Sequence, residues 1–429
     1  MTSERQSIPA DRPYRGTVFY GWWMVVIGAL AQGVGGGQAY ITGLVIVSLR
    51  SKLNGSAEEY LLATIGAQMA GYGLMAPLYG YLIRRFSLRF ILALMFGLAA
   101  AGYLAMTQVS TIRQLALVYG VLFSLAYYGY VAGQTIVAQW FERKRGLAMG
   151  VAACGNVIPG FLVLPILTFM TSRYGLAAAC LCYALALLLL IPIALKWVVD
   201  WPEQRGTHPD GIQSAAPQPQ ACAPEKGTEW TYRRMLRSSK FFVVAAIVTI
   251  LQATIIQVVT NLMPILHLAG LGLQQAALLV SILSVTALAG KLGMGWLSDK
   301  LSTPIIVLAP VVFLATGCLL LIGNANLIRY TCASVCAGLG GGMINVAFGI
   351  VIGRVFDRGS FASIAAGTVP IFVILMGAMM WGIGRSADIT ADYDFAMIGL
   401  AVLLAVPAAL VFRLNSLPIL HDRLPAESG

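Results

Sequence analysis

Twelve stretches of about twenty mostly apolar residues, following one another along 429 residues, constrain this chain more than any other feature. They run over 20–47, 60–83, 90–109, 114–139, 146–170, 175–195, 241–266, 273–298, 304–323, 331–353, 360–384 and 395–412. Each is long enough to cross a hydrocarbon core of about 30 Å as a helix. A backbone N–H or C=O in lipid finds no water, so only helices and closed barrels can span. Barrel strands would show about 10 residues of alternating polarity, and these runs do not alternate. The expected fold is all-α, with 12 transmembrane helices. Composition agrees, with 59% hydrophobic and 10% charged residues. Soluble domains carry about 25% charged residues, and disorder needs low hydrophobicity. The net charge of +11 is scattered in small groups between the runs. That excludes a nucleic-acid binder, which gathers its cations on a soluble face.

The cations also give an orientation. With the N-terminus in the cytoplasm, 21 of the 28 Lys and Arg fall on that side and 6 fall outside. The positive-inside rule then puts both chain ends in the cytoplasm, in the cell (inner or plasma) membrane. No cleavable signal peptide opens the chain, so the first run is expected to stay as a helix. The seven cysteines sit mostly inside apolar runs, without metal-ligand spacing, and read as small buried residues.

The chain divides at its middle. Residues 200–240 hold Pro217, Pro219 and Pro224 among Ser, Ala and Gln, which reads as a flexible cytoplasmic linker between units 1–199 and 241–429. Trp230–Lys240 reads either as a short interfacial helix or as plain positive-inside charge. The two units look duplicated. Gly80 to Arg85 follows the second run and Gly295 to Lys300 follows the eighth, at an offset of 215 residues. Phe141-Glu142-Arg143 and Phe356-Asp357-Arg358 repeat that offset after the fourth and tenth runs.

Two six-helix units around a basic loop resemble the major facilitator superfamily. Its G-x-x-x-D-[RK]-x-G motif is matched by Gly295, Asp299 and Lys300, with Ser302 at the later glycine and Arg84 in place of the first copy's acid. Four places are similar, more narrowly, to the monocarboxylate transporters and bacterial oxalate/formate antiporters. They are Tyr20-Gly21-Trp22-Trp23, Trp140 to Gly150, Pro202-Glu203 through Pro209-Asp210-Gly211, and Ser281 through Gly295. The resemblance implies two pseudo-symmetric six-helix bundles and a carboxylate-binding arginine in helix 8, where this chain has Lys291. It also points to departures. Ala287 stands where many members carry a proton-coupling aspartate, Ile41 aligns with a helix 1 lysine, and no second cation lies between Ser360 and Gly384.

Lys291 is the one formal charge inside the twelve runs. Eight residues before Asp299, it lies about 12 Å deep, where a lysine costs about 2.5–3.5 kcal/mol. Either an anionic substrate compensates it, or it snorkels to the interface. Taken with the resemblance, the first reading is preferred. Polar side chains at similar depth complete a candidate cavity. Tyr127, Tyr130 and Gln134 share one face of the fourth helix, and Gln257, Asn261 and Pro264 one face of the seventh. Gln32, Asn156 and Asn345 are further candidates, each with the alternative of interhelical hydrogen bonding. The runs Gly35–Gly37 and Gly340–Gly342 read as close-packing surfaces. His267 reads as an interfacial histidine, with pH sensing the alternative.

Lys291 and its neighbours imply a secondary transporter of a small organic monoanion, of monocarboxylate type, working as a monomer in the lipid bilayer. A single cation favours one carboxylate, because a second would be buried without a partner. No P-loop occurs, so gradients supply the energy; a co-transported proton would have to be held without an intramembrane acid. No cofactor, metal or enzymatic role is expected. The alternative is an exporter of amphiphilic compounds with Lys291 structural. A cytoplasmic gate is expected from Gly295, Asp299 and Lys300 meeting Arg143 and Arg145 at the start of helix 5, where an acid is favoured. Arg84 and Asp357 would form its charge-exchanged twin, unless Arg84 simply faces headgroups.

Overall fold

A computed structural model describes residues 19–50, 52–53, 55–142, 144–211, 238–298, 300–323, 326–356 and 361–415. The described residues form twelve long apolar helices. In the first half these are α1 (Gly21–Arg50), α2 (Ala57–Ile83), α3 (Leu88–Met106), α4 (Ile112–Trp140), α5 (Gly146–Tyr174) and α6 (Leu176–Trp197). In the second half they are α7 (Ser239–Leu268), α8 (Leu273–Leu297), α9 (Thr303–Leu320), α10 (Leu327–Ile352), α11 (Gly367–Thr390) and α12 (Asp394–Arg413). Leucines, valines and phenylalanines such as Leu74, Leu117, Leu189, Val312 and Phe412 are exposed on them. Such an apolar exterior suits lipid rather than water. The segment Trp230–Lys240, which the sequence reads either as an interfacial helix or as positive-inside charge, lies outside the described residues up to position 237.

Within the first half, α1 lies against α4 and the middle of α5. Within the second, α10 lies between α8 and α9. Both arrangements depend on glycine. A Cβ on Gly35 would stand 2.8 Å from the Tyr130 nitrogen, and one on Gly342 would stand 2.0 Å from the Ala287 carbonyl oxygen. The glycine runs therefore sit where two backbones touch, as small residues do between membrane helices.

The halves meet on the side of the membrane away from the N-terminus and the central connection. There Gly43 of α1 packs against Met263 and the Thr260 carbonyl of α7. The middle of α5 packs against α8 at Gly160 and Ser284, and the Ser281 hydroxyl donates to the Gly160 carbonyl at 3.2 Å. α2 meets α11, where Gly384 leaves no room for a Cβ beside Glu58.

The α2–α11 contact carries a helix cap that crosses the halves. The first turn of an α-helix has N–H groups without intrahelical partners. Ser56 and Glu59 form a capping box at the start of α2. The Ala57 and Glu58 amides donate instead to the Asp388 carboxylate, at 2.6 and 3.0 Å. Hydropathy alone ended the eleventh run at Gly384, whereas α11 continues through Arg385 and Asp388 to Thr390. The added turns place the Asp388 carboxylate against the start of α2.

Asp388→Ala leaves those two amides of α2 to water. Hydrogen exchange across residues 57–61 is expected to speed up in that variant, with the rest of α2 unchanged. Unchanged exchange there would show that the cap contributes nothing.

Candidate functional site

The fifth helix is not continuous. Its α-helical start ends at Ala153, a 3₁₀ turn covers Cys154–Val157, and a π-helical stretch covers Pro159–Val163. Pro159 has no N–H to donate, so the ladder must change here. Such interruptions frequently mark functional positions. At the end of that α-helical start, the Lys291 ammonium of α8 donates to the Ala153 carbonyl at 2.9 Å. Lys291 also donates to Asn156 Oδ1 on the same turn.

Lys291 is 6% exposed. Both of its partners are neutral oxygens on the opposite half of the protein, and no carboxylate among the described residues offsets its charge. An ammonium has three donors, so one is left for a ligand. α5 and α8 are in contact from this level towards the far side. They part towards the side of the termini, where Gly146, Leu147, Gly150 and Val151 of α5 and Leu292, Gly295 and Trp296 of α8 line a cavity. Lys291 thus sits where the two halves begin to diverge.

That cavity has a volume of about 930 Å³. Tyr72, Tyr127 and Tyr130 form one wall, with Phe348 and Phe372 from the second half among the others. The Tyr72 and Tyr127 rings meet edge to face at 5.0 Å, and Tyr127 and Tyr130 lie near-parallel at 6.2 Å. A smaller chamber of about 110 Å³ continues beyond Lys291, lined by Tyr40, Tyr127, Tyr130, Asn156, Gln252, Val259 and Leu283 among others. Tyr127, Tyr130, Gln252 and Lys291 border both spaces.

Of the residues singled out in the sequence, Lys291, Tyr127, Tyr130 and Asn156 therefore share one chamber. Gln134 lines the larger cavity and is hydrogen-bonded to Tyr130. Gln32, Gln257 and Asn261 do not line either space; each is fully buried in packed helix contacts. Asn261 donates to the Gln257 carbonyl at 2.9 Å, and both amide atoms of Gln32 lack partners. The Asn345 side chain lies outside the described set. Gln252 and Tyr40 were not singled out. Gln252 lies one turn and a residue before Gln257, and the helical period alone does not say which of the two faces the cavity.

The expected gate lies largely outside the described residues. That applies to Arg143, Asp299 and Asp357 and to the side chains of Arg84 and Arg145. Gly295 lines the cavity, and Lys300 is exposed with its ammonium 4.7 Å from the Trp296 ring centre. Among the described residues, an acid bound just before the start of α5 is Asp210. Its carboxylate accepts from the Glu142 and Lys144 amides at 3.0 and 3.2 Å. Three of the four motif places come together around it. The Trp140 indole donates to the Val199 carbonyl at 2.9 Å, the Tyr20 hydroxyl donates to the Trp197 carbonyl at 2.7 Å, and the Arg205 guanidinium stacks 3.8 Å above the Tyr20 ring. This clasp ties the start of the central connection to the first half. It does not line the cavity.

Comparison with known proteins follows the same lines. The Major Facilitator Superfamily profile matches residues 29–369. Monocarboxylate transporter 12 of Xenopus laevis is 26% identical over 321 residues, 70% of this chain and 66% of that protein. The chain spans 42% of the human monocarboxylate transporter 12, at 28% identity. An uncharacterized transporter of the same superfamily from Escherichia coli, YhjX, is 24% identical over 76% of this chain and 78% of its own. Among solved structures, a bacterial homolog of the human lysosomal transporter Spinster, inward-facing and occupied, has a TM-score of 0.67. It is 15% identical and covers 96% of this chain and 100% of its own.

The α5–α8 contact gives a direct test. A Cβ at Gly160 would stand 1.9 Å from the Ser284 hydroxyl and 2.7 Å from the Tyr40 ring. Gly160→Ala is expected to destabilise the protein by about 1–3 kcal/mol, read as a lowered melting temperature in detergent. Adding Ser284→Gly should restore part of the loss; no recovery would place the strain elsewhere.

Proposed function

For a chain that belongs to the Major Facilitator Superfamily, we propose secondary transport of a small organic monoanion, of the monocarboxylate class, with the carboxylate held by Lys291. The supporting observation is a buried ammonium bonded only to neutral oxygens, at the level where the halves diverge. An unoffset cation in the membrane is costly, and a bound carboxylate supplies the missing charge. A second carboxylate would be buried without a cation, so dicarboxylates are disfavoured. The monocarboxylate transporters to which the chain is similar carry that class in their names, which supports the same substrate.

In this reading the halves rock about the site, which lies between them as in other carriers of this architecture. The cavity opens towards the side of the chain ends, which the cation bias assigns to the cytoplasm of the cell membrane. Binding at the level of divergence lets one ion touch both halves in either state. The ammonium is the proposed place for any co-transported proton, since the lining among the described residues holds no acid. The proposed working unit is a monomer of two six-helix bundles, 1–199 and 241–429, joined by 200–240.

Lys291→Ala is expected to abolish uptake of a labelled monocarboxylate into proteoliposomes, with the protein still inserted. Lys291→Arg should keep part of it, because the charge persists while the donor geometry changes. Normal uptake by Lys291→Ala, with unchanged apparent affinity, would show that Lys291 does not bind the substrate; no uptake of any monocarboxylate by the parent protein would favour an exporter of amphiphilic compounds in which Lys291 is structural. Cys154 lines the cavity and gives a second readout. A bound monocarboxylate should slow its alkylation by a maleimide, measured by peptide mass spectrometry, and an equimolar dicarboxylate should slow it less.

A further inference from the structure

The chamber beyond Lys291 is built for a ring. Its walls are the Tyr40, Tyr127 and Tyr130 side chains together with Ile255, Ile256, Val259 and Leu283. Its volume of about 110 Å³ is somewhat below the ~150 Å³ of an apolar protein cavity that accepts benzene, so one ring is the most it can take. It is closed on the far side by the Gly43–Met263 and Gly160–Ser284 contacts. The Tyr40 hydroxyl is hydrogen-bonded to Ser284, which leaves its ring as the surface offered to a ligand. Lys291 is the one formal charge among the lining residues of the chamber.

A carboxylate at Lys291 has two places for the rest of its molecule. The larger cavity is far wider than one ring. The chamber is close to ring size, and its tyrosine faces reward an aromatic body, since ring pairs gain from edge and offset-face contact beyond simple burial. A hydroxyacid of lactate size fills only part of the chamber. A two-ring acid exceeds it. An amino acid brings an ammonium that meets no acid among the described lining residues.

We propose that the chamber formed by Tyr40, Tyr127 and Tyr130 above Lys291 is a subsite for a six-membered aromatic ring, so that the preferred substrates are single-ring aryl monocarboxylates. This rests on the reading of Lys291 as the carboxylate-binding cation, and it adds the chemistry of the rest of the substrate.

The test is binding to the purified protein in detergent at pH 7.5, by calorimetry, because aryl acids leak through bilayers and confuse flux. The probes are benzoate, phenylacetate, cyclohexanecarboxylate, 1-naphthoate, lactate, phthalate and phenylalanine. Benzoate or phenylacetate is expected to bind at least tenfold tighter than lactate and measurably tighter than cyclohexanecarboxylate. Naphthoate, phthalate and phenylalanine are expected to be weaker than both aryl acids. Tyr130→Leu should cut the aryl-to-lactate ratio several-fold, and Tyr130→Phe, which keeps the ring, should preserve it. Equal affinities for lactate and the aryl acids in the parent protein would overturn the ring subsite. If Lys291→Ala then loses both, the carboxylate reading survives that failure. Undiminished binding of benzoate and lactate by Lys291→Ala would overturn the carboxylate reading itself.

Discussion

An ammonium buried in a helical bundle, bonded to a backbone carbonyl and an amide oxygen of the opposite half, is the interaction on which the rest of this structure depends. It sits where α5 breaks, at the Ala153 carbonyl and Asn156 on either side of the change from α to 3₁₀ geometry. A carbonyl has two lone pairs, so the Ala153 oxygen can accept from the ammonium whatever its place in the helix ladder. Pro159, one turn on, has no N–H to donate and starts the π-helical stretch. The glycines on either side let the surrounding helices approach closely enough to exclude lipid. Gly342 brings α10 onto the turn of α8 that carries Lys291, and Gly36 brings α1 beside Asn156 and Tyr130. The break and the glycines together turn an expensive charge into a fixed one.

Neutral acceptors orient the ammonium without cancelling its charge. A carboxylate partner would have done both, and would have competed with any anion entering the cavity. The remaining field at the level of divergence is positive, and field lines focus in a cleft with low-dielectric walls. The tyrosines opposite are uncharged and add shape rather than potential.

Much of this was legible in the sequence, for different physical reasons at different places. The twelve helices follow from length and hydropathy, since lipid forbids an unpaired backbone. Lys291 stands out because a charge inside an apolar run is rare, and Tyr127 and Tyr130 because a spacing of three keeps them on one face. The same spacing argument grouped Gln257 with Asn261, and the structure packs that pair into helix contacts. Periodicity identifies a shared face but not what the face meets. The Ala153 carbonyl has no side-chain signature at all. Asp388 lay beyond a boundary set by hydropathy, although a helix ends where its hydrogen bonds end. Asp210 lay in a loop, and nothing along the chain tells that it would return to hold the turn before α5. The motif places shared with monocarboxylate transporters were visible as words. Their meaning, an aromatic clasp around the start of the central connection, appears only when Tyr20, Trp140 and Arg205 are seen together.

Around residue 160 the seam between α5 and α8 is made of a glycine, two serine hydroxyls and a carbonyl, with the Lys291 ammonium reaching across it nearer the side of the termini. Surfaces of such small groups come apart with little side-chain rearrangement. They behave as smooth plates held by contact, where interdigitated leucines would behave as gear teeth. Separating this patch breaks the Ser281–Gly160 bond and a strip of van der Waals contact, and closing it again demands no search for register. If the halves rock as proposed, the plainness of the patch favours speed, and the absence of a Cβ at residue 160 is what lets it close.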